Sequence, residues 1–150
     1  MRHRIPLVGV LFLVLLASCA VPRPTVGLTI AGTNVAGSRE GSFCQTGGCS
    51  SHCADGPAPV APLTVVRAAT PVRLDFSAGD EVTKIHGDIW AGESLSGQPI
   101  ESFDLGNGAR AYTSKAMAAG RYYMLVSLQW SRPLDSGDTG LAFHVEIVPP

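Results

Sequence analysis

Four side chains that could hold a metal ion or form a disulfide lie close together in the sequence: Cys44, Cys49, His52 and Cys53. Four such ligands suit a tetrahedral zinc ion, although the usual Cys-x₂₋₄-Cys pair followed by a second, distant pair is missing. The neighbours His52 and Cys53 would also point poorly toward one metal centre. Outside the cytoplasm, cysteines this close usually pair, and three thiols give one disulfide and one remaining thiol. We therefore favour a disulfide in one of three possible pairings, with a metal site as the alternative.

Cys19 stands in a different setting, directly after a hydrophobic leader. The chain begins Met1-Arg2-His3-Arg4, continues with an apolar run over residues 7–16, and reaches Leu16-Ala17-Ser18-Cys19. A positively charged start, a short apolar stretch and small residues before a cysteine predict a lipoprotein signal peptide over residues 1–18. An ordinary secretory signal or an uncleaved helix is the alternative, but the apolar run is short for a membrane span.

This leader predicts a mature protein that is held at a membrane through Cys19. The thiol would receive a diacylglycerol carrying fatty acids such as palmitate, whose chains contribute ~0.8 kcal/mol per buried CH₂. Residues 19–25 then form a lipidated tether, and residues 26–150 form a single domain. We expect the protein on the extracytoplasmic side of the plasma membrane. An outer membrane is equally open in a cell that has one, because Ala20 rather than Asp follows the cysteine.

The composition of the 150 residues argues against some partners and favours strands. The chain has 11 Lys+Arg against 12 Asp+Glu, with no basic stripe or cluster of the kind that binds nucleic acid. Among its 17 glycines and 11 prolines, uninterrupted helical periodicity is nearly absent. Short strands joined by turns are the expected result.

Apolar patterns along the first half of the chain place the early strands. Val26–Ile30 is a short first strand. Residues 31–62 are rich in Gly, Ser, Cys and Pro, and we interpret them as an ordered loop region that includes the cysteine loop (about 41–57). Residues 63–68 form a compact apolar strand, and residues 72–77 alternate apolar with polar side chains as a half-buried strand does.

A further strand is predicted over residues 81–90, and another contains Phe103 and Leu105. The following Asn107-Gly108 pair supplies positive φ and predicts a two-residue hairpin turn. About seven strands joined by glycine and proline turns predict an antiparallel β-sandwich that resembles the immunoglobulin architecture. A small β-barrel is the alternative.

The strongest alternation lies at the C-terminus and predicts an antiparallel hairpin with one face in the core. The apolar residues of one parity are Tyr122, Met124, Val126, Leu128, Trp130, Leu141, Phe143, Val145 and Ile147. The opposite parity carries a mostly polar set that we expect to face solvent: Tyr123, Ser127, Gln129, His144 and Glu146. Residues 131–140 are predicted to form a long loop at the hairpin tip.

The cysteine segment and the C-terminus together resemble a family of uncharacterised bacterial envelope lipoproteins and secreted proteins. Gly41-Ser42-Phe43-Cys44 and Cys53-Ala54-Asp55 are similar to that family's Gly-Ser-Tyr-Cys-Trp…Cys-x-Asp element. The C-terminal pattern Gly-x-Tyr…Trp…Gly-Asp-x-x-Tyr-x-Phe is matched by Gly120-Arg121-Tyr122, Trp130 and the residues from Gly137-Asp138 to Phe143. The departures are Gln45 in place of Trp, Leu141 in place of Tyr, and a longer loop between Trp130 and Gly137.

The resemblance implies a disulfide between Cys44 and Cys53, which makes Cys49 the extra cysteine. It also supports the envelope location and the fold. It implies no activity, because the family has no established biochemistry.

Catalytic patterns are not evident in the sequence. No Gly-x-Ser-x-Gly element occurs, and residues 92–97 miss that spacing. The pairs Asp80–Glu81 and Asp135–Asp138 do not follow a calcium-loop spacing, and we interpret them as turn residues. His86 and His144 are expected on the solvent faces of their strands. We expect neither catalytic residues nor a cofactor.

These patterns favour a non-enzymatic binding or structural module on the cell envelope. Its partners would be the membrane, through the lipid anchor, and an unknown envelope protein or small ligand. One alternative is a metal-handling protein or enzyme that uses Cys49 and His52. Another is a protease inhibitor whose inhibitory loop is residues 131–140, an idea that rests on fold analogy.

Overall fold

The computed structural model describes residues 22–47, 50–56, 60–106 and 108–150. These residues form β-strands and turns, and no helix in them is long and apolar enough to span a membrane. The strands are β1 (Val26–Ile30), β2 (Thr33–Val35), β3 (Gly37–Gly47), β4 (Ser50–Ala54), β5 (Leu63–Arg67), β6 (Val72–Ala78), β7 (Val82–Ala91), β8 (Glu101–Leu105), β9 (Ala111–Ser114), β10 (Gly120–Ser131) and β11 (Asp135–Val148).

The strands pair into two sheets. The smaller sheet has the order β2-β1-β6-β9, and the larger has the order β4-β3-β11-β10-β7-β8. β5 joins the larger sheet by pairing in parallel with the second half of β11, whereas β3 pairs antiparallel with the first half. The sheets do not close on each other. The β-sandwich prediction is therefore confirmed, and the barrel alternative is wrong.

The distribution of strands between the sheets is that of an immunoglobulin-like sandwich. In chain order β1, β6 and β9 correspond to strands A, B and E of one sheet, and β7, β10 and β11 correspond to C, F and G of the other. Near the start of β10 the phenol oxygen of Tyr122 accepts a hydrogen bond from the backbone N–H of Ala118 at 2.9 Å. This contact is the tyrosine corner of such sandwiches.

The core lies between the two sheets and contains the apolar side chains that the sequence predicts to face inward from β10 and β11. All nine of these side chains are buried. Phe103 bridges the sheets, since its ring stacks on Tyr112 with the centroids 4.4 Å apart and tilts against Phe76 at 5.7 Å. Gly87 lies under the same ring, where any Cβ would collide with it. An apolar layer closed by ring contacts holds the sheets at a fixed separation.

The region around the cysteines is more regular than predicted. Residues 37–47 and 50–54 form the antiparallel pair β3–β4, which extends the larger sheet beyond β11. Glycine and serine do not favour strands, so the local composition predicted a loop. Pairing of β3 with β11 supplies the backbone hydrogen bonds that local propensity does not.

Two predicted connections also differ from the structure. Around Asn107-Gly108 the backbone N–H of Ala109 donates to the carbonyl of Gly106 at 3.0 Å, which is a turn contact. This turn does not connect a hairpin, because β8 pairs with β7 in one sheet and β9 pairs with β6 in the other. It lies in a crossover between the sheets, and of this pair the structure describes Gly108 (φ 80°). The loop expected over residues 131–140 contains only residues 132–134, because β11 already begins at Asp135. Gly137 stays in the strand, where a Cβ would collide with the Trp130 ring.

Candidate functional site

The β3–β4 hairpin is closed by a disulfide. Cys44 and Cys53 lie directly opposite each other, with the Cα atoms 4.1 Å apart and the sulfur atoms 2.07 Å apart. This is the pairing that the family resemblance implies. It removes both sulfur atoms from the zinc alternative. Cys19 and Cys49, for which we predict lipidation and a remaining thiol, lie outside the described residues.

His52 is not placed to bind a metal with these cysteines. It follows the opposite parity from Cys53 on β4, and its ring contacts that of Phe43 with the centroids 5.5 Å apart. The guanidinium of Arg23 covers the same Phe43 ring at 3.6 Å, which is a cation–π contact. In the part of the chain that the structure describes, no group of three His, Cys, Asp or Glu side chains could hold a metal ion.

One row of side chains crosses five strands on the outer face of the larger sheet. The cross-strand register places Lys84 of β7 opposite Gln129 of β10, and Gln129 opposite Asp138 of β11. Asp138 is opposite Cys44 of β3, and Cys44 is opposite Cys53 of β4. The disulfide is thus in line with three exposed polar side chains.

A depression of about 300 Å³ lies along this row, and its lining includes Lys84, His86, Ser127, Gln129 and Asp138. The surface is concave there because Ser127 is short and because its partner on β11, Gly140, has no side chain. Within the described residues, the Gln129 amide, the Ser127 hydroxyl and the Asp138 carboxylate make no hydrogen bond or ion pair. Three unpaired polar groups therefore face one concavity.

The remaining polar groups of the depression hold each other in place. His86 Nδ1 is 3.1 Å from Asp104 and Nε2 is 3.2 Å from Asp88. Lys84 Nζ is 2.8 Å from the same Asp104 oxygen. Hydrogen bonds from Lys84 and then His86 hold the pKa of Asp104 below its usual range. With both ring nitrogens occupied by carboxylates, His86 is poorly placed to act as a base or a metal ligand.

The other end of the outer face is covered. Tyr123, expected to face solvent, is 6% exposed and packs with Ala61, Ala142 and Leu95. Its phenol oxygen accepts the backbone N–H of Ala61 at 2.8 Å. The chain before β5 and the loop after β7 fold over this part of the sheet, which alternation within β10 alone could not indicate. His144 is half-buried beside the Tyr123 ring, at 5.2 Å.

Asp135 is a second residue whose environment differs from the prediction. The sequence predicts a turn residue here, but Asp135 is 6% exposed and accepts a hydrogen bond from the Gln45 amide at 3.1 Å. Arg132 contacts Asp135 at 3.5 Å and Glu81 at 3.0 Å. The backbone N–H of Glu81 and then the Arg132 guanidinium lower the pKa of the Glu81 carboxyl. These contacts hold a three-residue loop close to the sandwich, unlike the long exposed loop on which the protease-inhibitor idea depends.

A carboxylate that sequence reasoning did not identify joins the two sheets at another edge. Glu101 of β8 accepts hydrogen bonds from Tyr112 at 2.8 Å, from Ser114, and from the backbone N–H groups of Lys115 and Ala116. Desolvation raises the pKa of Glu101, but these hydrogen bonds together lower it below its usual range. Burial and then the bond to Glu101 raise the pKa of Tyr112. This cluster has a structural role, since its donors are already used.

The residues of the depression were only partly recognisable in the sequence. Ser127 and Gln129 belong to the predicted solvent-facing parity of β10, whereas the sequence predicts a turn at Asp138 and no particular role for Lys84. Their proximity depends on the registers of β7, β10 and β11, which are long-range features.

Comparisons of the chain with protein-family models, with curated proteins and with solved structures find no match. The strand order and the disulfide define the class of protein: an immunoglobulin-like β-sandwich with a disulfide-closed hairpin on its larger sheet.

Proposed function

We propose that this protein is a lipid-anchored, non-enzymatic binding module of the bacterial cell envelope. Its binding surface would be the depression on the outer face of the larger sheet. The anchor would be Cys19, and the domain would lie on the extracytoplasmic side of the plasma membrane or on an outer membrane. The leader sequence before Cys19 supports the anchor.

The observation that carries the binding role is the set of unpaired polar groups at Ser127, Gln129 and Asp138. They lie on paired strands, which hold their backbone rigidly, and a concave site with convergent polar groups is typical of ligand binding. The adjacent disulfide stiffens the neighbouring hairpin. A hydroxyl, an amide and a carboxylate fit a partner that presents hydroxyl or amide groups together with a positive charge.

The chemistry of the depression supports binding rather than catalysis. Its imidazole, at His86, lies between Asp88 and Asp104, so it is not directed at the Ser127 hydroxyl as a general base would be. Neither Lys84 nor Asp104 is free, because they pair with each other.

Site-specific photo-cross-linking in intact cells tests the binding surface. A benzophenone amino acid at Gln129 should yield an adduct, either a protein or a smaller molecule detected by mass. The matched control is Thr113, which is exposed on the outer face of the smaller sheet. Asp138→Lys should abolish the Gln129 adduct. Equal adducts at both positions, or an adduct that Asp138→Lys leaves unchanged, would contradict the proposed surface.

Labelling cells with a fatty-acid analogue tests the anchor. The parent protein should incorporate the label, and Cys19→Ala should leave an unlabelled precursor that still carries the leader. Incorporation into the Cys19→Ala protein would show that the anchor lies elsewhere.

A further inference from the structure

Pro22, the first described residue, lies at the end of the sandwich that carries the loop between β10 and β11. The carbonyl oxygen of Pro22 accepts a hydrogen bond from Arg132 Nη1 at 2.9 Å, beside the loop between β10 and β11. Cys19 is three residues before Pro22, and three residues of extended chain span at most ~11 Å. An acyl anchor on Cys19 therefore brings the bilayer surface to this end of the domain.

A large apolar side chain projects from the same loop. Leu134 is 78% exposed and follows the exposed Pro133. With Arg132 and Asp135 they line an open depression of about 240 Å³. Leu134 is two residues from Arg132, whose side chain contacts Pro22, so the anchor and Leu134 lie on the same side of the domain.

The backbone N–H and the guanidinium of Arg132 in this loop have partners within the protein. The backbone N–H of Arg132 donates to the carbonyl of Asp135 at 2.7 Å. The Arg132 guanidinium is paired with Glu81 at 3.0 Å and with Asp135 at 3.5 Å. These pairings lower the cost of bringing Arg132 near an apolar medium, since unpaired polar groups are what make such transfer costly.

We infer that residues 132–134 form a second membrane contact, in which Leu134 enters the boundary between lipid headgroups and acyl chains. The inference rests on the proposed anchor at Cys19. With attachment at both Cys19 and Leu134, the axes of β10 and β11 would run roughly perpendicular to the bilayer plane. Because a strand rises about 3.4 Å per residue, Tyr123 and the adjoining Ala61 would lie roughly 27 Å farther from the lipid than Ser131.

Tryptophan fluorescence in vesicles tests this contact. The full acylated protein is reconstituted in phosphatidylcholine and phosphatidylglycerol vesicles whose acyl chains carry bromine, which quenches nearby tryptophan. Leu134→Trp is compared with Val60→Trp, an 86% exposed position at the opposite end, and the emission of the parent protein is subtracted. Both sites are exposed, so unchanged thermal melts should show that the fold is intact.

We expect the emission added at position 134 to be quenched several-fold more strongly than that added at position 60, with a shift to shorter wavelength. Equal quenching at the two positions, or none at 134 in an acylated protein, overturns the contact and leaves the anchor standing. A protein whose mass shows no acyl chain overturns the anchor and the contact together.

Discussion

Asp138 of β11 lies directly opposite Cys44 of β3, so the disulfide begins one cross-strand position away from the polar depression. The covalent link between β3 and β4 is therefore adjacent to the proposed binding groups and not at a remote end of the hairpin. A change in the hairpin should consequently reach the depression through the β3–β11 pairing.

The disulfide should contribute measurably to stability. Closing a loop of about 10 residues restricts the unfolded chain by roughly 2–3 kcal/mol in the chain-entropy model. The double variant Cys44→Ala/Cys53→Ala should lose about that much free energy of unfolding in urea denaturation, and it should weaken the adduct at Gln129. Peptide mapping without reduction should find residues 44 and 53 cross-linked and Cys49 open to alkylation. A Cys44–Cys49 or Cys49–Cys53 cross-link, or an unchanged urea midpoint, would count against this pairing.

The β10–β11 hairpin should show a sharp contrast between its two faces. Trp130 is 2% exposed and Phe143 is 1% exposed. Truncating a buried aromatic residue to alanine costs ~3–5 kcal/mol, which is comparable with the stability of a domain this size. Trp130→Ala and Phe143→Ala should each abolish the cooperative thermal transition, whereas the exposed Gln129→Ala should leave it nearly unchanged. Similar melts for both classes of variant would contradict the strand assignment.

The parts of the fold that local pattern could predict are those where alternation and burial agree. β1 has the predicted bounds, β5 and β6 differ from the prediction by one residue at the C-terminal end, and β7 is shifted by one residue at both ends. The hairpin of β10 and β11 buries the predicted parity, because a strand with one apolar face can satisfy it only by packing that face inward.

The parts that could not be predicted depend on long-range contacts. Tyr123 is buried because Ala61 and Leu95, distant in sequence, fold over it. β3 is a strand because β11 is long enough to pair with it. The depression forms only when the registers of β7, β10 and β11 are all set, and the sequence of no single strand predicts it. Alternation identifies which side chains share a face, but not which loops cover that face.

The tyrosine corner should contribute to stability through one hydrogen bond. Tyr122→Phe keeps the buried ring and removes the acceptor for the N–H of Ala118. A typical intramolecular hydrogen bond contributes about 0.5–1.5 kcal/mol, and we expect a loss in that range by urea denaturation. Tyr122→Leu, which also removes ring packing, should cost more. An unchanged free energy of unfolding for Tyr122→Phe would indicate that the hydrogen bond contributes nothing.

The Glu101 cluster should make stability depend on pH. Glu101→Gln keeps one acceptor oxygen and replaces the other with an NH₂ donor, which would face the backbone N–H of Lys115 or of Ala116. It also replaces or weakens the acceptor of Ser114, which is fully buried. Leaving such groups unsatisfied costs about 1–3 kcal/mol, and we expect that loss of free energy of unfolding at neutral pH. Glu93→Gln is the matched control, since Glu93 is exposed and its ion pair with Arg121 is of the surface kind that contributes little.

The sign of the pH dependence follows from the lowered pKa of Glu101 in the folded protein. A carboxyl whose pKa is lower when folded stabilises the fold above its unfolded pKa, and this stabilisation is lost as pH falls through the folded pKa. The parent protein should therefore approach Glu101→Gln in stability as pH falls from about 7 toward about 3, below the ordinary glutamate range. Urea denaturation of both proteins across that interval measures the difference. A difference that stays constant with pH would show that the Glu101 charge does not act through these hydrogen bonds.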